Sequence, residues 1–318
     1  MDHSPAPEVR TPVRDVAVDA TGRIPAAGER ALVLGGGGST GHAWLAGVLA
    51  GLVDAGLDVT DADLVVGTSA GATVAAQLDG SALPGLYASA LAPVPAPQAR
   101  PASGGLHSAG QVSSRLRRIS EMTSAATDLA ELRRMVGAAA LELLAESDGS
   151  WQPRWRATVA ARIGDGGWPQ RTVVLTAVDA ATGEPVVFDR HSGVELVDAV
   201  AASCSSALPY RIGDRHFIDG GYRANAENAD LAAGYRRVLV LSPFGGRALT
   251  PVEWGTHLAT QVEALREGGS SVEVIAPERD SEHLFGPNAM DVSLRPAAAS
   301  AGHAQGTALA GDLAELWR

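Results

Sequence analysis

The 318-residue sequence contains a single cysteine, Cys204, and few aromatic residues, which make up 4% of the chain. One cysteine cannot form an intramolecular disulfide, and it cannot supply the several thiolates of a zinc or iron–sulfur site. We therefore expect Cys204 to be a small buried residue, as free cysteines usually are. None of the eight histidines is paired with carboxylates at a spacing typical of metal ligands, so the sequence predicts no metal and no cofactor.

The sequence also lacks long apolar segments and any excess of positive charge. No run approaches the roughly 20 apolar residues that a membrane-spanning helix requires. Residues 1–28 carry acidic residues among prolines, without the apolar centre of a signal peptide. The formal net charge of −11 opposes binding to the phosphate backbone of nucleic acid. We expect a cytoplasmic protein with a flexible N-terminal tail at residues 1–28 and no nucleic-acid partner.

Residues 29–318 have the length and apolar content of one large α/β domain, because 46% of the chain is hydrophobic. Two successive segments share one pattern, in which a short apolar strand ends in a glycine-containing turn and an amphipathic helix follows. Two such units in succession predict a parallel sheet. The predicted strands are residues 31–34, 63–66, 172–176, 186–188, 216–218, 238–241 and 272–275.

A proline cluster at residues 93–101 predicts a loop, and two amphipathic helices follow near residues 111–122 and 128–145. This insertion, at about 93–150, is expected to form a small helical cap on the domain. Its arginines lie beside apolar residues, a combination that favours transient contact with a membrane surface. These arginines are Arg115, Arg117, Arg118, Arg133 and Arg134. A last helix is predicted from about residue 304 to residue 317.

The strongest chemical signal is the sequence Gly67-Thr68-Ser69-Ala70-Gly71, between the second predicted strand and its helix. A serine flanked by glycines at such a turn is the nucleophile-elbow pattern, in which a strained turn exposes the hydroxyl group. The N-terminus of the following helix favours negative charge that develops beside it. We therefore predict that Ser69 is a nucleophile and that Gly67 and Gly71 are the small residues of its elbow.

A second glycine-rich turn, residues 35–41, follows the first predicted strand. Free backbone N–H groups in such a turn can stabilise an oxyanion, and we assign this role to Gly36, Gly37 and Gly38. The pattern Gly36-x-Gly38-x-x-Gly41 also matches the dinucleotide-binding fingerprint, so a dinucleotide-binding protein is an alternative. That alternative requires an acidic residue at the end of the second strand, where this chain has its serine elbow.

A serine nucleophile needs a base, and Asp219 has the most favourable position of the acidic residues. It directly follows the predicted strand at 216–218 and precedes Gly220 and Gly221, which permit a tight turn behind the carboxylate. The rival mechanism is a Ser-Asp-His triad with a histidine downstream of the acid. The histidines available for this role are His257, His283 and His303.

Together, the glycine-rich loop, the Gly-Thr-Ser-Ala-Gly elbow, the helix-and-turn segment 201–209 and the Asp-Gly-Gly turn resemble the patatin-like phospholipase family. The resemblance extends over residues 35–221. It implies an α/β protein with a three-layer α/β/α patatin-like fold, a mainly parallel central sheet and a small helical cap. It further implies a Ser69–Asp219 dyad without a catalytic histidine, an oxyanion hole in the glycine loop, and hydrolysis of lipid acyl esters through an acyl-serine intermediate.

The chain departs from this family pattern at Thr40, where the family usually has Arg or Lys. A guanidinium there would hold the loop or attract an anionic headgroup. The expected partner is a lipid or small acyl-ester substrate. The departure supports a second hypothesis, a non-catalytic patatin-like protein that binds a lipid or a protein partner without turnover.

Overall fold

The computed structural model of the chain describes residues 18–78, 83–93, 109–164 and 166–318. Eight strands of these residues form one sheet. They are β1 (Gly28–Leu34), β2 (Leu64–Gly67), β3 (Thr172–Asp179), β4 (Pro185–Phe188), β5 (Tyr210–Ile212), β6 (Arg215–Asp219), β7 (Tyr235–Leu241) and β8 (Ser271–Ile275). Each strand predicted from an apolar run is present, and β5 is an addition.

The helices of the described residues include several that the sequence analysis did not predict. They are α1 (Gly38–Asp54), α2 (Ala70–Gln77), α3 (Leu83–Leu91), α4 (Ala109–Ala125), α5 (Leu129–Ala145), α6 (Trp151–Ile163), α7 (Leu196–Ser203), α8 (Leu258–Glu267) and α9 (Arg295–Trp317). Helices α3, α6 and α8 are the additions. Helix α9 begins nine residues earlier than expected, at residue 295 rather than about 304.

The sheet is mainly parallel, as predicted. Its order is β5-β6-β3-β2-β1-β7-β8, and β4 pairs with β3 outside this path. The five neighbouring strands from β3 to β8 in this order all pair in parallel. Strands β4, β5 and β6 add antiparallel pairs at one end of the sheet. Parallel neighbours require crossover connections, and the helices between the strands supply them.

Helices cover both faces of the sheet and complete the predicted three-layer α/β/α arrangement. Successive side chains of a strand point to opposite faces, and β1 shows this alternation clearly. Leu32 and Leu34 belong to the core formed with α1, α2, α7 and α9. Ala31 and Val33 belong to a second core on the opposite face, with α8. The central parallel strands β1 and β2 are therefore buried on both faces, which explains their continuous apolar runs, whereas β8 at the edge of the sheet is partly exposed.

Helices α1 and α9 pack closely because glycines lie at their interface. A Cβ atom added to Gly47 or Gly51 of α1 would overlap the backbone of α9. A Cβ atom added to Gly302 or Gly306 of α9 would overlap the backbone of α1 in the same way. Gly302 is the one glycine within residues 295–303, the part of α9 that the sequence analysis missed, and glycine lowers helix propensity. Packing against α1 overrides that preference.

Residues 18–27 belong to the segment that was expected to be a flexible tail, and they contact the domain. The Ala20 N–H donates to the Val187 carbonyl oxygen at 2.7 Å. The Arg23 guanidinium forms an ion pair with Asp189 at 2.8 Å. These contacts join residues 18–27 to the domain, whereas residues 1–17 lie outside the described residues.

The predicted cap contains α4 and α5, and α5 contacts the antiparallel end of the sheet. Leu132, Val136 and Ala140 of α5 form a small apolar core with Val178 of β3 and Ile218 of β6. Residues 94–108, the start of the predicted insertion, lie outside the described residues. The cap therefore packs directly beside β6, the strand that ends at Asp219.

Candidate active site

Ser69 lies in the two-residue turn between β2 and α2, in a strained backbone conformation. Its φ is 52° and its ψ is −110°, a region that costs a non-glycine residue on the order of 1–3 kcal/mol. Helix α2 begins so close to β1 that a Cβ atom on Gly71 would overlap the carbonyl oxygen of Leu34. This crowding explains why the elbow needs glycine two residues after the serine.

Asp219 reaches Ser69 because β2 and β6 pair with successive parts of β3 from opposite directions. Strand β2 runs parallel to β3, and its last residue, Gly67, pairs with Leu175. Strand β6 runs antiparallel to β3, and its last residue, Asp219, pairs with Ala177. The C-terminal ends of β2 and β6 therefore meet along β3, with their last residues two positions apart.

Within this junction the Ser69 Oγ donates a hydrogen bond to Asp219 Oδ2, with a distance of 2.9 Å between the two atoms. The other carboxylate oxygen, Oδ1, accepts the N–H of Gly221 at 2.9 Å. The Asp219 side chain is buried, with 8% of the residue exposed. Gly220 packs so closely against Thr176 that a Cβ atom would overlap it. The acid turn thus holds one oxygen of the carboxylate and directs the other to the serine.

The glycine-rich loop lies beside the serine, and its three predicted oxyanion donors differ in their hydrogen bonds. The Gly36 N–H already donates to the Ala226 carbonyl oxygen at 2.8 Å, so Gly36 cannot donate to a substrate in this arrangement. The N–H groups of Gly37 and Gly38 have no acceptor among the described residues. Gly36 lies directly beside the serine, since a Cβ atom added there would make an ordinary van der Waals contact of 3.6 Å with the Cβ of Ser69.

Two later segments of the same polypeptide pack tightly against this loop. A Cβ atom on Gly37 would lie 2.5 Å from the Cβ of Pro243. Thr40, which replaces a basic residue of the usual loop pattern, is fully buried, and its N–H donates to the Ala289 carbonyl oxygen at 3.0 Å. The loop is therefore held by a main-chain hydrogen bond and close packing. In the usual family pattern, a basic side chain at the position of Thr40 would help to hold it.

Ser203, the last residue of α7, and Cys204, which follows it, both form hydrogen bonds with the Ser69 backbone. The sequence analysis assigned neither residue a role in the site. The Ser203 Oγ accepts the Ser69 N–H at 3.0 Å. The Cys204 Sγ donates to the Ser69 carbonyl oxygen at 3.1 Å. Burial, with a smaller effect of the Asp219 charge, raises the pKa of the Cys204 thiol to about 12. Cys204 is therefore a protonated donor, and no local sequence pattern could have indicated its contact with residue 69.

The three histidines of the rival triad all contact other groups. His257 Nε2 lies 2.7 Å from the Thr250 carbonyl oxygen, His283 Nδ1 lies 2.9 Å from the Asp280 carbonyl oxygen, and His303 Nε2 lies 2.8 Å from Asp54 Oδ2. None of these contacts involves Ser69 or its carboxylate partner. The geometry therefore gives no support to a Ser-Asp-His triad.

The arginines of the cap divide between the surface and the interior. Arg117 and Arg118 are exposed, with 75% and 51% of their side chains accessible. Arg133 points inward and donates from Nη1 to the Arg223 carbonyl oxygen at 2.8 Å. The side chain of Arg115 lies outside the described residues. No helix within the described ranges is both long and apolar enough to cross a membrane. Membrane-surface contact by the cap stays a prediction.

A comparison with protein-family models matches residues 32–232 to the family described as patatin-like phospholipase. The match includes the glycine loop, the serine elbow and the acid turn, and it extends over well more than half of the chain. A search of curated proteins finds no match.

Solved structures resemble the chain at low sequence identity. VipD from Legionella pneumophila is 14% identical with a TM-score of 0.36, over 91% of this chain and 67% of that one. Human GIVD cytosolic phospholipase A2 is 10% identical with a TM-score of 0.38, over 91% and 60%. ExoU of Pseudomonas aeruginosa, solved with SpcU, is 17% identical with a TM-score of 0.32, over 89% and 53%. The chain thus spans between about half and two thirds of these proteins.

Proposed function

Because the chain belongs to the patatin-like phospholipase family, we propose that it hydrolyses acyl esters of lipids and that Ser69 is its nucleophile. The observation that carries this proposal is the 2.9 Å hydrogen bond from Ser69 Oγ to Asp219 Oδ2. A serine in a strained turn, bonded to a carboxylate, is the arrangement of an activated nucleophile and its base.

In the first half of the proposed reaction, Ser69 Oγ attacks the carbonyl carbon of the ester while its proton passes to Asp219 Oδ2. The carbonyl oxygen gains negative charge, and the free N–H groups of Gly37 and Gly38 can donate to it at the N-terminus of α1. When the intermediate collapses, the ester C–O bond breaks and the proton on Asp219 passes to the leaving alcohol. The product of this half is acyl-Ser69.

In the second half, a water molecule attacks acyl-Ser69 and gives its proton to Asp219. Collapse of the second intermediate releases the carboxylic acid and returns the proton to Ser69 Oγ, so the enzyme is regenerated. The hydrogen bond from Gly221 N–H to Oδ1 keeps the carboxylate oriented through both halves, since only Oδ2 has to exchange a proton. These reaction steps need neither a metal ion nor an organic cofactor.

The first prediction concerns the two members of the dyad. Wild-type protein should hydrolyse a chain-length series of p-nitrophenyl acyl esters, and the preferred chain length would indicate the acyl group of the substrate. Ser69→Ala should lose at least about 10³-fold in kcat, because it removes the nucleophile. Asp219→Asn should lose about 10²- to 10⁴-fold, because it removes the base.

Matched substitutions at exposed positions control for loss of a hydroxyl or a charge. Ser124→Ala in α4 and Asp312→Asn in α9 should keep wild-type rates. Equal activity of wild type and Ser69→Ala would show that Ser69 is not the nucleophile. If wild type binds phospholipid vesicles but hydrolyses neither these esters nor vesicle lipids, the non-catalytic hypothesis replaces this one.

A further inference from the structure

The turn formed by residues 225–228 touches all three parts of the candidate active site. The Ala226 carbonyl oxygen accepts the N–H of Gly36 in the glycine loop at 2.8 Å. The Glu227 side chain is fully buried beside Gly35, where an added Cβ atom would lie 3.3 Å from Glu227 Cγ. Asn228 contacts both the elbow and the acid turn. None of these contacts involves the Ser69 hydroxyl or the Asp219 carboxylate, so the turn acts on the site through the loops that it touches.

Asn228 is the residue that joins the nucleophile and the base. Its Nδ2 donates to the Thr68 Oγ1 at 3.0 Å and to the Gly220 carbonyl oxygen at 3.0 Å. Thr68 directly precedes Ser69, and Gly220 directly follows the base. An amide NH₂ group has two hydrogens to donate, and Asn228 therefore uses one on each side of the dyad.

A third strand takes part in the same contact. The Thr176 Oγ1 of β3 lies 2.9 Å from the Thr68 Oγ1 and 3.4 Å from the Asn228 Nδ2. Strand β3 is the strand along which β2 and β6 meet. The buried amide thus lies where the ends of β2 and β6 meet beside β3, and the Thr176 hydroxyl belongs to the same network through Thr68.

The surrounding side chains fix the position of Asn228 itself. The residue is fully buried and has a left-handed backbone, with φ 56° and ψ 42°. Its N–H donates to Asn225 Oδ1 at 2.6 Å, and its own Oδ1 accepts from Arg223 Nη1 at 3.2 Å. Asn225 is in turn held by the Thr256 carbonyl oxygen and by Gln261. Glycine adopts a left-handed conformation most easily, but it has no side-chain amide. Asparagine at this position supplies the amide that bonds to Thr68 and Gly220.

We propose that Asn228 is a positioning residue for the dyad, which sets the separation of Ser69 and Asp219 by bonding to the residues adjacent to each. This inference deepens the proposed function and rests on it. Misplacement of reacting groups by about 1 Å can cost on the order of 10²-fold in rate. Asn228 touches neither substrate nor reacting atoms, so its effect passes through the geometry of the two turns.

The test is Asn228→Gly, which keeps the left-handed backbone and removes only the side-chain amide. We expect kcat for the preferred p-nitrophenyl ester to fall about 10- to 100-fold with KM changed by less than about twofold. A second variant, Thr176→Val, keeps the side-chain shape and removes the hydroxyl of the same network, so it should lower kcat about threefold to tenfold. It keeps the test informative if Asn228→Gly does not fold.

Val262→Ala controls for general destabilisation. Val262 is buried on the face of the sheet covered by α8, and its substitution should lower the unfolding midpoint while leaving kcat and KM unchanged. Wild-type kcat in folded Asn228→Gly, or an equal loss of kcat in Val262→Ala, would overturn the positioning role and leave the proposed function intact. Absence of Ser69-dependent hydrolysis in wild type would overturn both.

Discussion

At the scale of single residues, the backbone strain found in the described part of the chain lies at the candidate site. Ser69 and Asn228 are the non-glycine residues with positive φ among those that the structure describes. Strained residues persist only where surrounding contacts determine their conformation, and they cluster at functional sites. Here both are held by hydrogen bonds from several elements. The strain therefore marks the nucleophile and the residue that we infer positions it.

The only cysteine offers a residue-scale prediction, because its thiol supports the elbow. Since its pKa is raised from 9.0 to about 12, its thiolate fraction at pH 8 is roughly 10³-fold below that of an unperturbed thiol. Iodoacetamide should alkylate native protein at pH 8 at least about 100-fold more slowly than the same protein unfolded in urea. Mass spectrometry gives an unambiguous readout because no other cysteine is present. Similar rates in both states would contradict the role of the partly buried Cys204 thiol as a hydrogen-bond donor.

At the scale of elements, α1 supports the glycine loop at its N-terminus and depends on α9 for its own packing. Glycines of both helices lie where a side chain would strike the opposite backbone. Helices approach so closely only through small residues, and the close approach is stabilised by dispersion contacts along both backbones. The position of the glycine loop beside Ser69 thus depends on a helix that begins more than 250 residues later.

Two glycines of α9 give a matched pair of substitutions. Gly302→Ala should lower the free energy of unfolding by about 1–3 kcal/mol, because the new methyl group would overlap the backbone of α1. Gly311→Ala should raise it by up to about 1 kcal/mol, because nothing lies within 4 Å of its added Cβ atom and alanine favours the helix. Urea unfolding measures both. A similar effect of the two substitutions would contradict the close α1–α9 packing.

At the scale of the whole molecule, groups from several helices surround one titratable histidine, His42. His42 lies in α1, and its ring nitrogen is 3.3 Å from the side-chain oxygen of Gln77 at the end of α2. Burial, together with the smaller effects of the positive charges of Arg295 and Arg162, lowers the pKa of His42 from 6.5 to about 4. Folding therefore requires the neutral imidazole at pH values where the unfolded chain would bind a proton.

This histidine predicts how stability changes with pH. Above about pH 6.5 the lowered pKa leaves the free energy of unfolding unchanged. As the pH falls, the free energy of unfolding decreases, and the decrease reaches its full size, up to about 3 kcal/mol, below about pH 4. The unfolding free energy of wild type should fall over this range relative to that of His42→Gln. Comparison of the two proteins separates His42 from the carboxylates. His191→Gln, at an exposed position, should follow wild type; parallel curves for wild type and His42→Gln would refute the assignment.

The amino-acid sequence by itself determined the local units of this protein. Apolar runs predicted seven of the strands, and for the central ones the reason is that burial on both faces requires continuous apolar residues. The elbow at Ser69 and the turn after Asp219 were recognisable because each needs small residues at fixed offsets, whatever surrounds it. The roles of both residues in catalysis stay predictions. Helix α9 was predicted too short, and one of the glycines that its packing requires, Gly302, lies in the part that was missed.

Only the tertiary structure decided how these units meet. The antiparallel pairing of β6 brings residue 219 to residue 69, and such long-range pairing leaves no local trace. Gly36 matched the oxyanion pattern as well as its neighbours did, but its N–H is taken by Ala226, almost 200 residues away in the chain. Asn228 belongs to no motif at all. Hydrogen bonds between distant residues exist only after packing has placed the partners, and this is why sequence patterns miss them.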